Sequence, residues 1–509
     1  MTAINRQPRL AAEKEYDLII IGGGIYGVSL AMQASAMGLT NLLVERKDFG
    51  WGTTYNHLRT IHGGLRYLQN LDLPRFFESV SERRWFLENF PGLAKPLPCL
   101  MPLYGNGPYR PSVFRVALAA NDILSFNRNK GVARGQELPA GKVLSLKETC
   151  SLFPLVDQQG LLGSALWYDG AMPSPQLLLM AMLTRATAIK TTALNYMNAT
   201  QVLTKEGQVC GLRCTDTESG ENYVYRSKKI VNVAGPSCRE FAATFSSDDP
   251  ELFRYSLAWN VLFKQPALSS HSLAIKPKRP GSRMYFVHGF NGLIMGGTVH
   301  SAWSANTPPI PEQAAIDAYI DDLNFAVPGL NLKKNDILHI YAGLLPAREQ
   351  GSAQLAVREI IRDHGASGGP IGVYSVSGVK FTTARLVAEK TLKLIFPEKT
   401  DHKLPSQVAV TQIMSQTAEA GFFPANWQPE ETSSEAMAAL QPIIASQSVL
   451  HLDDLLLRRT SLGDDPRQAL QLASSLSRLF PWDESRQQEE IQRVRDCFPW
   501  LLQADAQSA

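Results

Sequence analysis

The pattern of apolar and polar positions predicts a strand, a helix and a second strand at the start of the chain. Residues 18–21 form a short apolar run rich in β-branched side chains, typical of a parallel strand buried on both faces. A helix is predicted over about 25–37 with Gly38 as its C-cap, and the second strand closes at Glu45. Between the first strand and the helix, three glycines have the spacing G-x-G-x-x-G: Gly22, Gly24 and Gly27.

This glycine turn has the residue types that a dinucleotide requires. The first glycine permits the tight turn, the second lets the backbone approach a pyrophosphate, and the third allows close helix packing. The helix N-terminus offers N–H groups and the positive end of its dipole. Glu45 lies 18 residues beyond Gly27, where a carboxylate can hold ribose hydroxyls. We therefore predict dinucleotide binding, with an ordinary glycine-rich βα turn as the alternative.

Further along the chain, alternating apolar positions predict a second sheet that is mixed or antiparallel. We expect a strand over 162–169 with a turn at Gly170, then a helix with Ser174 as its N-cap. A long helix is expected to start near Thr382, and the last hundred residues read as mainly helical. Further strands are predicted over 193–205, 208–217, 221–228, 229–235, 255–264, 283–290, 292–300, 339–348, 354–363 and 371–378.

Composition narrows the classes of function without identifying one. The 509 residues carry a net charge of +3, which is too weak a balance to argue for a nucleic-acid partner. We expect a cytoplasmic protein, since the chain lacks a long apolar run and a signal-peptide core.

The amphipathic stretch 112–128 packs on the body in one interpretation. In the other it faces the inner surface of a membrane. The six cysteines show no C-x-x-C pairs, so we expect reduced thiols and no metal site.

Five segments, in this order, resemble the FAD-dependent glycerol-3-phosphate dehydrogenases within the D-amino-acid-oxidase-like flavoproteins. They are IIIGGGIYGVSLA (19–31), GTTYNHLRTIHGGLRYL (52–68), VNVAGPS (231–237), GLLPAR (343–348) and SVSGVKFTTARLVAE (375–389). The resemblance covers about residues 16–400, and residues 452–463 are similar to that family's helical C-terminal domain. It implies FAD as the cofactor, rather than NAD.

The resemblance also implies an α/β fold class with three kinds of domain. These are a Rossmann-like FAD-binding domain, a substrate domain built on a mixed or antiparallel sheet, and a C-terminal helical domain. An N-terminal arm over 1–15 precedes them. The expected boundaries are 16–92, 150–250 and 340–400 for the discontinuous FAD-binding domain, 93–149 and 251–339 for the substrate domain, and 401–509 for the helical domain.

The implied chemistry is hydride transfer from a carbinol carbon to the flavin N5. Lys380 and the helix that follows it would supply positive charge near the flavin N1. Arg66 and Tyr67 would hold an anionic substrate, and Arg358 occupies a second phosphate-binding position, with an ordinary strand arginine as the alternative. The implied cofactor contacts are Gly22, Gly23, Gly24, Ile25, Gly27, Glu45, Thr53, Thr54, His57, His62, Gly63, Gly64, Leu65, Val202, Ala234, Gly235, Gly343, Gly378, Lys380, Phe381 and Thr382.

The chain departs from the family pattern in the expected substrate pocket. Leu345 replaces an arginine, Asn260 stands where relatives have a histidine, and residues 174–177 replace a D-A-R-L element. The loss of a bidentate guanidinium contact could weaken substrate binding by about 2–5 kcal/mol. Candidates to compensate are Arg348, His288 and His300, with structural roles open for both histidines.

We therefore expect an FAD-dependent dehydrogenase with an altered substrate pocket. Its substrate would be glycerol 3-phosphate, a related polyol phosphate or a hydroxy acid, and its electrons would pass to a quinone or another acceptor. Two alternatives are an amine or amino-acid oxidase of the same superfamily and a catalytically decayed FAD-binding scaffold. A homodimer is left open.

Overall fold

The computed structural model describes residues 4–105, 107, 109–399, 423 and 434–501, and the side chains of the last segment from 439 onward. Strands and helices are mixed through the first part of this range, whereas the part beyond 433 is helical. The predicted α/β class and the helical C-terminal region are thus confirmed. Part of the predicted C-terminal unit, 401–509, lies outside the described residues.

The strands in the described part of the chain are β1 (Glu15–Tyr16), β2 (Leu18–Ile21), β3 (Asn41–Val44), β4 (Thr60–Ile61), β5 (Lys95–Pro102), β6 (Lys142–Leu144), β7 (Ser164–Ala171), β8 (Thr191–Leu194), β9 (Met197–Lys205), β10 (Gln208–Asp216), β11 (Asn222–Ser227), β12 (Ile230–Asn232), β13 (Tyr255–Pro266), β14 (Ser272–Ile275), β15 (Tyr285–Phe290), β16 (Leu293–Ala302), β17 (Ile337–Pro346), β18 (Ile360–Asp363) and β19 (Val373–Ser377).

The α-helices in the same residues are α1 (Pro8–Ala12), α2 (Ile25–Ala36), α3 (Leu65–Leu68), α4 (Leu73–Asn89), α5 (Pro111–Leu124), α6 (Leu146–Leu152), α7 (Pro175–Thr187), α8 (Cys238–Ala242), α9 (Gln313–Ala326), α10 (Ala384–Ile395), α11 (Ser434–Ser446), α12 (Pro466–Ser477) and α13 (Glu484–Asp496). Shorter 3₁₀ turns cover Gly235–Ser237, Lys334–Asp336, Gly365–Ser367, Pro397–Lys399 and Leu462–Asp464, and a π-helical turn covers Asp454–Arg459.

A six-stranded sheet in the order β18-β19-β12-β2-β3-β8 forms the first layer. Its strands are parallel except β18, which runs antiparallel to β19. Along β2, Leu18 and Ile20 pack in the cluster that contains α2, α7 and α10, whereas Ile19 and Ile21 pack against the four-stranded sheet β1-β11-β10-β9. Both faces are therefore buried, as the continuous apolar run predicts.

The larger sheet has the order β17-β13-β16-β15-β14-β5-β7-β4, with β6 paired to β7. Trp259 and Val261 on β13 point into an apolar cluster that includes Ile316 and Tyr319 of α9. Because side chains alternate along a strand, Asn260 lies on the opposite face. That second face is turned toward the loop after β3, since Thr53 donates its hydroxyl to the Leu344 carbonyl at 3.0 Å.

The C-terminal helical region is joined to the first sheet through a buried carboxylate. Asp48 accepts a bidentate pair from Arg459, with N–O distances of 2.6 and 2.7 Å. Arg458 donates to the same carboxylate at 2.6 Å, and Asn195 donates at 2.9 Å. Burial by itself would raise the pKa of Asp48, but the two guanidinium groups outweigh burial and lower it. The carboxylate therefore stays charged, three residues beyond Glu45.

Several element boundaries differ from the sequence prediction. Gly170 lies inside β7 and is not a turn, and Ser174 precedes α7 without a side-chain capping hydrogen bond. The stretch 193–205 divides into β8 and β9, which belong to different sheets, and Tyr196 between them has a φ of +53°. Arg358 precedes β18, and α10 begins at Ala384. Local apolar patterns do not reveal where a chain leaves one sheet for another.

Among the described residues, no helix combines the length and apolar character needed to cross a bilayer.

We expect Asp48→Asn to destabilise the protein by about 3–5 kcal/mol, because it leaves Arg459 buried without a carboxylate partner in the described part of the chain. Urea unfolding followed by circular dichroism measures the loss. The matched control is Asp248→Asn, which breaks the exposed pair with Arg239 and should cost no more than about 1 kcal/mol. Equal losses in the two variants would contradict the prediction.

Candidate active site

The turn between β2 and α2 brings backbone atoms together more closely than side chains would permit. Gly22 has a φ of +110°, in the left-handed region that favours glycine. A Cβ atom on Gly27 would lie 1.8 Å from the Gly22 carbonyl oxygen, and one on Gly22 would lie 2.6 Å from the Val233 carbonyl oxygen. The turn therefore packs against the end of β12, and Ala234 and Gly235 follow at the same edge of the sheet.

Glu45 directly follows β3, as predicted, and its carboxylate is held by three donors. Oε2 accepts the Gly23 N–H at 2.7 Å. Oε1 accepts the Lys47 N–H at 2.9 Å and the indole N–H of Trp51 at 3.0 Å. The carboxylate is therefore fixed beside the glycine turn, where a ribose would have to lie. The sequence analysis missed Trp51, because no local sequence pattern marks a tryptophan that donates to a carboxylate.

The loop after β3 covers the start of α2. Thr54 accepts the Ile25 N–H at 3.0 Å, so its hydroxyl lies at the helix N-terminus. The ring centroid of His57 is 4.9 Å from that of Phe381, and His57 Nδ1 accepts the Arg59 N–H at 2.8 Å. Burial, together with the charge of Arg59, lowers the pKa of His57 to about 3. The loop thus places a neutral imidazole and the Thr54 hydroxyl at the crevice, by which we mean the region between the glycine turn, this loop and residues 378–382.

The segment His62-Gly63-Gly64 is anchored by Asp169 at the end of β7. Asp169 accepts the Gly63 N–H at 2.7 Å and lies 3.1 Å from the Arg83 guanidinium. His62 Nδ1 is 3.2 Å from the other carboxylate oxygen. Burial would raise the pKa of Asp169, yet His62, Arg83 and the Gly63 N–H together lower it. The sequence analysis predicted neither Asp169 nor Arg83. Asp169 lies about 100 residues beyond the segment that it anchors, and Arg83 lies about 20 residues beyond it.

Tyr26, in the first turn of α2, holds the segment that carries Lys380. Its hydroxyl donates to the Lys380 carbonyl at 2.8 Å and accepts the Lys380 N–H at 3.0 Å. A Cβ atom on Gly378 would lie 1.8 Å from the Tyr26 ring. This close approach gives a physical reason for glycine at 378. Tyr26 was also missed by the sequence analysis.

Lys380, Tyr67 and Arg66 converge above this crevice. The Lys380 ammonium donates to the Tyr67 hydroxyl, and the Tyr67 ring lies between Lys380 Nζ at 4.5 Å and the Arg75 guanidinium at 4.8 Å. Burial and the nearby charge of Arg66 lower the pKa of Lys380 to about 8. Arg66 itself is exposed and makes no hydrogen bond or ion pair with any described residue. One guanidinium is therefore free to bind an anion.

The second face of the larger sheet lies within the electrostatic influence of Arg66. Asn260 is buried and accepts the Thr298 hydroxyl at 2.8 Å. Leu345 is half-buried on β17, in register with Ser256 on β13. His300, on β16, is half-buried as well, and the charge of Arg66 acts on its imidazole. Asn260 and Leu345, the two predicted departures from the family pattern, thus lie on the neighbouring strands β13 and β17.

The two other predicted arginines lie further out. Arg358 pairs with Glu78 at 3.3 Å on the wall of an open cleft of about 350 Å³, which Lys380 and Tyr26 also line. The side chain of Arg348 is exposed after β17 and makes no hydrogen bond or ion pair within the described residues. The structure brings Arg358 near Lys380, and no contact connects Arg348 to that group.

The remaining predicted cofactor residues lie at several different places in the fold. Gly343 faces Thr53, since a Cβ atom there would lie 2.9 Å from the Thr53 methyl group. Thr382 is buried just before α10. Val202, on β9, packs with Ile21 and Val44 between the two smaller sheets. Leu65 starts α3 directly after Gly64.

A buried ion pair that the sequence analysis missed lies under the loop. Arg59 pairs with Asp464 at 3.2 Å and donates to the Tyr341 hydroxyl at 3.2 Å. Asp464 also accepts the Gln176 amide at 3.0 Å. Gln176 belongs to the segment that departs from the D-A-R-L pattern, so the altered segment binds the C-terminal region.

Comparison with known proteins gives this geometry a context. The family model described as "DAO: FAD dependent oxidoreductase" matches residues 17–394. The mitochondrial glycerol-3-phosphate dehydrogenase of Rattus norvegicus is 28% identical over 414 residues, which cover 76% of this chain and 55% of the rat protein. The aerobic glycerol-3-phosphate dehydrogenase of Staphylococcus aureus (strain USA300) is 29% identical over 384 residues, 75% of this chain and 67% of that protein. The chain thus spans about half the length of the rat protein it matches.

Solved structures share the fold. The glycerol-3-phosphate dehydrogenase from Bacillus halodurans, complexed with FAD, aligns with a TM-score of 0.72 at 19% identity and covers 98% of both chains. The L-proline dehydrogenase from P. horikoshii aligns with a TM-score of 0.51 at 16% identity, covering 77% of this chain and 96% of its own. The predicted resemblance is confirmed, and with it FAD as the cofactor.

We expect Tyr26→Phe to weaken FAD binding, because it removes both hydrogen bonds that hold the Lys380 backbone at the crevice, each worth about 0.5–1.5 kcal/mol. FAD affinity is measured by titration of the apoprotein with flavin fluorescence. The matched control is Tyr104→Phe, whose hydroxyl donates to the Asp157 carbonyl far along the chain from the crevice. Equal FAD affinities in the two variants would refute the role of Tyr26.

Proposed function

Because the chain belongs to the DAO family of FAD-dependent oxidoreductases, we propose that it is a dehydrogenase acting on a phosphorylated or carboxylated alcohol. The substrate is glycerol 3-phosphate or a related polyol phosphate or hydroxy acid. Its carbinol carbon is oxidised, and FAD supplies the hydride acceptor at N5. The curated relatives in Rattus norvegicus and Staphylococcus aureus that carry the name glycerol-3-phosphate dehydrogenase support this choice.

The residues along the crevice fit FAD. In this proposal Glu45 binds the adenosine ribose, and the glycine turn at the positive end of the α2 dipole binds the pyrophosphate. The glycine turn contributes no side chains to the crevice. Other residues do not fit at Gly22 and Gly27, because added Cβ atoms there would collide with backbone atoms. The segment 62–65 and the segment 378–382 hold the flavin between them. The buried Nε2 of His57, which has no hydrogen-bond partner among the described residues, supports this placement of the flavin.

The observation that carries the choice of substrate is the cluster of Arg66, Tyr67 and Lys380. Arg66 has no acidic partner in the described part of the chain, so its charge is available to a phosphate or carboxylate. Lys380 and Tyr67 are in contact with each other and orient the alcohol oxygen. Positive charge at this position also disfavours an ammonium substrate, since like charges repel. An anionic alcohol fits the cluster better than a simple amine does.

The pocket differs from that of the family at Leu345. An isobutyl group cannot donate the hydrogen bonds that a guanidinium would, so Arg66 supplies a larger share of the anion binding. We therefore propose weaker affinity for glycerol 3-phosphate than a second arginine would allow. Turnover of glycerol 3-phosphate at family-typical rates by the wild-type protein would refute the altered pocket.

We also propose that electrons leave to a quinone and that α5 makes a peripheral contact with an anionic lipid surface. Val116 (71%) and Ile123 (72%) are strongly exposed and lie seven residues apart on one face of α5, and Phe126 (83%) is exposed just beyond the end of the helix. Arg115 is exposed beside them, so the apolar stripe carries positive charge at its edge. An amphipathic surface with this charge suits the boundary of an anionic bilayer.

The substrate proposal predicts that glycerol 3-phosphate bleaches the bound flavin under anaerobic conditions. The visible spectrum is recorded before and after addition, and a panel of polyol phosphates, hydroxy acids and amino acids follows. Reduction by the amino acids alone would favour an amino-acid oxidase instead. A yellow protein that none of the panel reduces would refute the dehydrogenase and favour a scaffold.

Two arginine variants locate the anion site in the same assay. Arg66→Ala should raise the dissociation constant of glycerol 3-phosphate by an amount equivalent to about 2–5 kcal/mol. Arg348→Ala should leave it unchanged, because no contact connects Arg348 with Lys380 or Tyr67. The reverse result would assign phosphate binding to Arg348, the compensating residue suggested by the sequence.

The lipid proposal predicts that wild-type protein sediments with vesicles of phosphatidylglycerol and phosphatidylcholine. Changing Val116, Ile123 and Phe126 together to serine should lower the partition coefficient at least about tenfold, since each buried apolar side chain is worth about 1.5–3 kcal/mol. The control changes three exposed apolar residues elsewhere, Ile310, Phe325 and Ile371, to serine. Wild-type protein that stays in the supernatant would refute lipid contact.

A further inference from the structure

We propose that His300 accepts the hydroxyl proton of the substrate, an inference that rests on the alcohol oxidation proposed above. Hydride loss from a carbinol carbon leaves a proton on oxygen, and that proton needs an acceptor within hydrogen-bond distance. Asn260, buried at the centre of the same sheet face, has an amide that cannot accept it. The acceptor must therefore come from another position on the chain.

The sheet register places His300 on the face that borders the cations. His300 pairs with Ala258 on β13, which pairs in turn with Gly343 on β17. Thr298, two residues earlier on β16, bonds to Asn260, whereas Val299 points into the apolar cluster on the other side. Alternation along the strand puts His300 on the same face as Asn260. Gly343, at the end of this row, packs against Thr53 of the loop after β3, so the row that contains His300 faces that loop.

The imidazole of His300 has the properties of a proton acceptor. Its Nδ1 is buried and has no hydrogen-bond partner among the described residues. Burial, with the positive charges of Arg283 and Arg66, lowers the pKa of His300 to about 4. Arg283 comes from the loop before β15 and also donates to the His300 carbonyl at 3.0 Å, while Arg66 comes from α3. At neutral pH the ring is therefore uncharged and keeps a lone pair available.

The same charges explain why a bound substrate would activate this base. A phosphate or carboxylate bound by Arg66 offsets the cation that acts on His300, so the imidazole becomes more basic when the site is filled. Burial and Arg283 still lower the pKa of His300 in the complex, but the contribution of Arg66 is offset. An empty site would leave the base weak.

The neighbouring titratable groups are less suited to this role. Lys380, with its pKa of about 8, is mostly protonated at pH 7, and its ammonium already donates to Tyr67. Tyr67 has its oxygen engaged by that ammonium. Both groups fit the task of orienting the alcohol oxygen better than that of removing its proton.

The other histidines near the crevice are engaged or distant. His57 accepts the Arg59 N–H, and His62 pairs with Asp169. His288 lies between two backbone carbonyls, at 3.0 and 3.1 Å. His339 packs against Tyr341 and Phe498, under the C-terminal helices. Of these imidazoles in the described part of the chain, His300 alone combines an unpaired nitrogen with the influence of Arg66.

The proposed step requires no reactant other than the alcohol and FAD. The O–H proton would pass to His300 Nδ1 as the carbonyl double bond forms, and the carbinol C–H bond would break with its electron pair, for which bound FAD would supply the hydride acceptor. Lys380 and Tyr67 hold the oxygen during the transfer. The proton then leaves His300 to solvent, and the neutral imidazole is restored.

The test compares His300→Gln with wild type in anaerobic stopped-flow reduction of the holoenzyme by saturating glycerol 3-phosphate, from pH 5 to 9. His271→Gln is the matched control, since His271 bonds to neighbouring Ser270 on another loop. We expect His300→Gln to reduce the flavin about 10²–10⁴-fold more slowly at pH 7. FAD content and the dissociation constant of glycerol 3-phosphate should change little.

The pH profile separates proton transfer from a structural role. Protonated imidazole cannot accept a proton, so the wild-type rate should fall as pH falls through the pKa of His300 in the complex, and this acid limb should vanish in His300→Gln. A variant that keeps the acid limb, or that reduces FAD at the wild-type rate, overturns the inference while the proposed function stands. If glycerol 3-phosphate fails, the same series uses whichever panel alcohol reduces wild type. Wild-type flavin that no alcohol reduces overturns both proposals.

Discussion

The site depends on a close contact between two segments that are 354 residues apart in the chain. The Tyr26 hydroxyl donates to the Lys380 carbonyl and accepts the Lys380 N–H, so both backbone groups are satisfied by one side chain. Tyr26 belongs to the helix whose N-terminus faces the glycine turn. The position of Lys380 relative to the glycine turn is therefore set by hydrogen bonds within the protein. Gly378 is required because any side chain there would occupy the space of the Tyr26 ring.

The buried charges are compensated near the glycine turn, whereas positive charge remains in excess near Lys380. Near the glycine turn, Glu45 and Asp48 are surrounded by donors, and Asp48 is compensated by two buried guanidinium groups. Near Lys380, positive charges accumulate: Arg66 has no acidic partner among the described residues, and burial together with the charge of Arg66 lowers the pKa values of both Lys380 and His300. A bound anion would relieve this repulsion. Substrate charge and the protonation of the site are thereby linked.

The C-terminal region takes part in this arrangement through buried ion pairs. Arg459 binds Asp48, three residues beyond Glu45, and Asp464 binds Arg59 beneath the loop that holds His57. Because breaking either pair would leave a charge buried, the region is bound firmly to both halves of the crevice. Its role in the described structure is to support the loop between β3 and α3.

The sequence by itself determined the features that depend on local spacing. The glycine turn, the buried strand before it and Glu45 follow from residues within about thirty positions, and the motifs around Arg66 and Lys380 identified the family and its cofactor. The tertiary structure decided what depends on distant chain segments. It joined Tyr26 to Lys380 and Asp169 to Gly63, divided the predicted strand over 193–205 into β8 and β9, and set His300 within the electrostatic influence of Arg66. These contacts arise from packing and strand register, for which the local pattern of apolar and polar residues carries no signal.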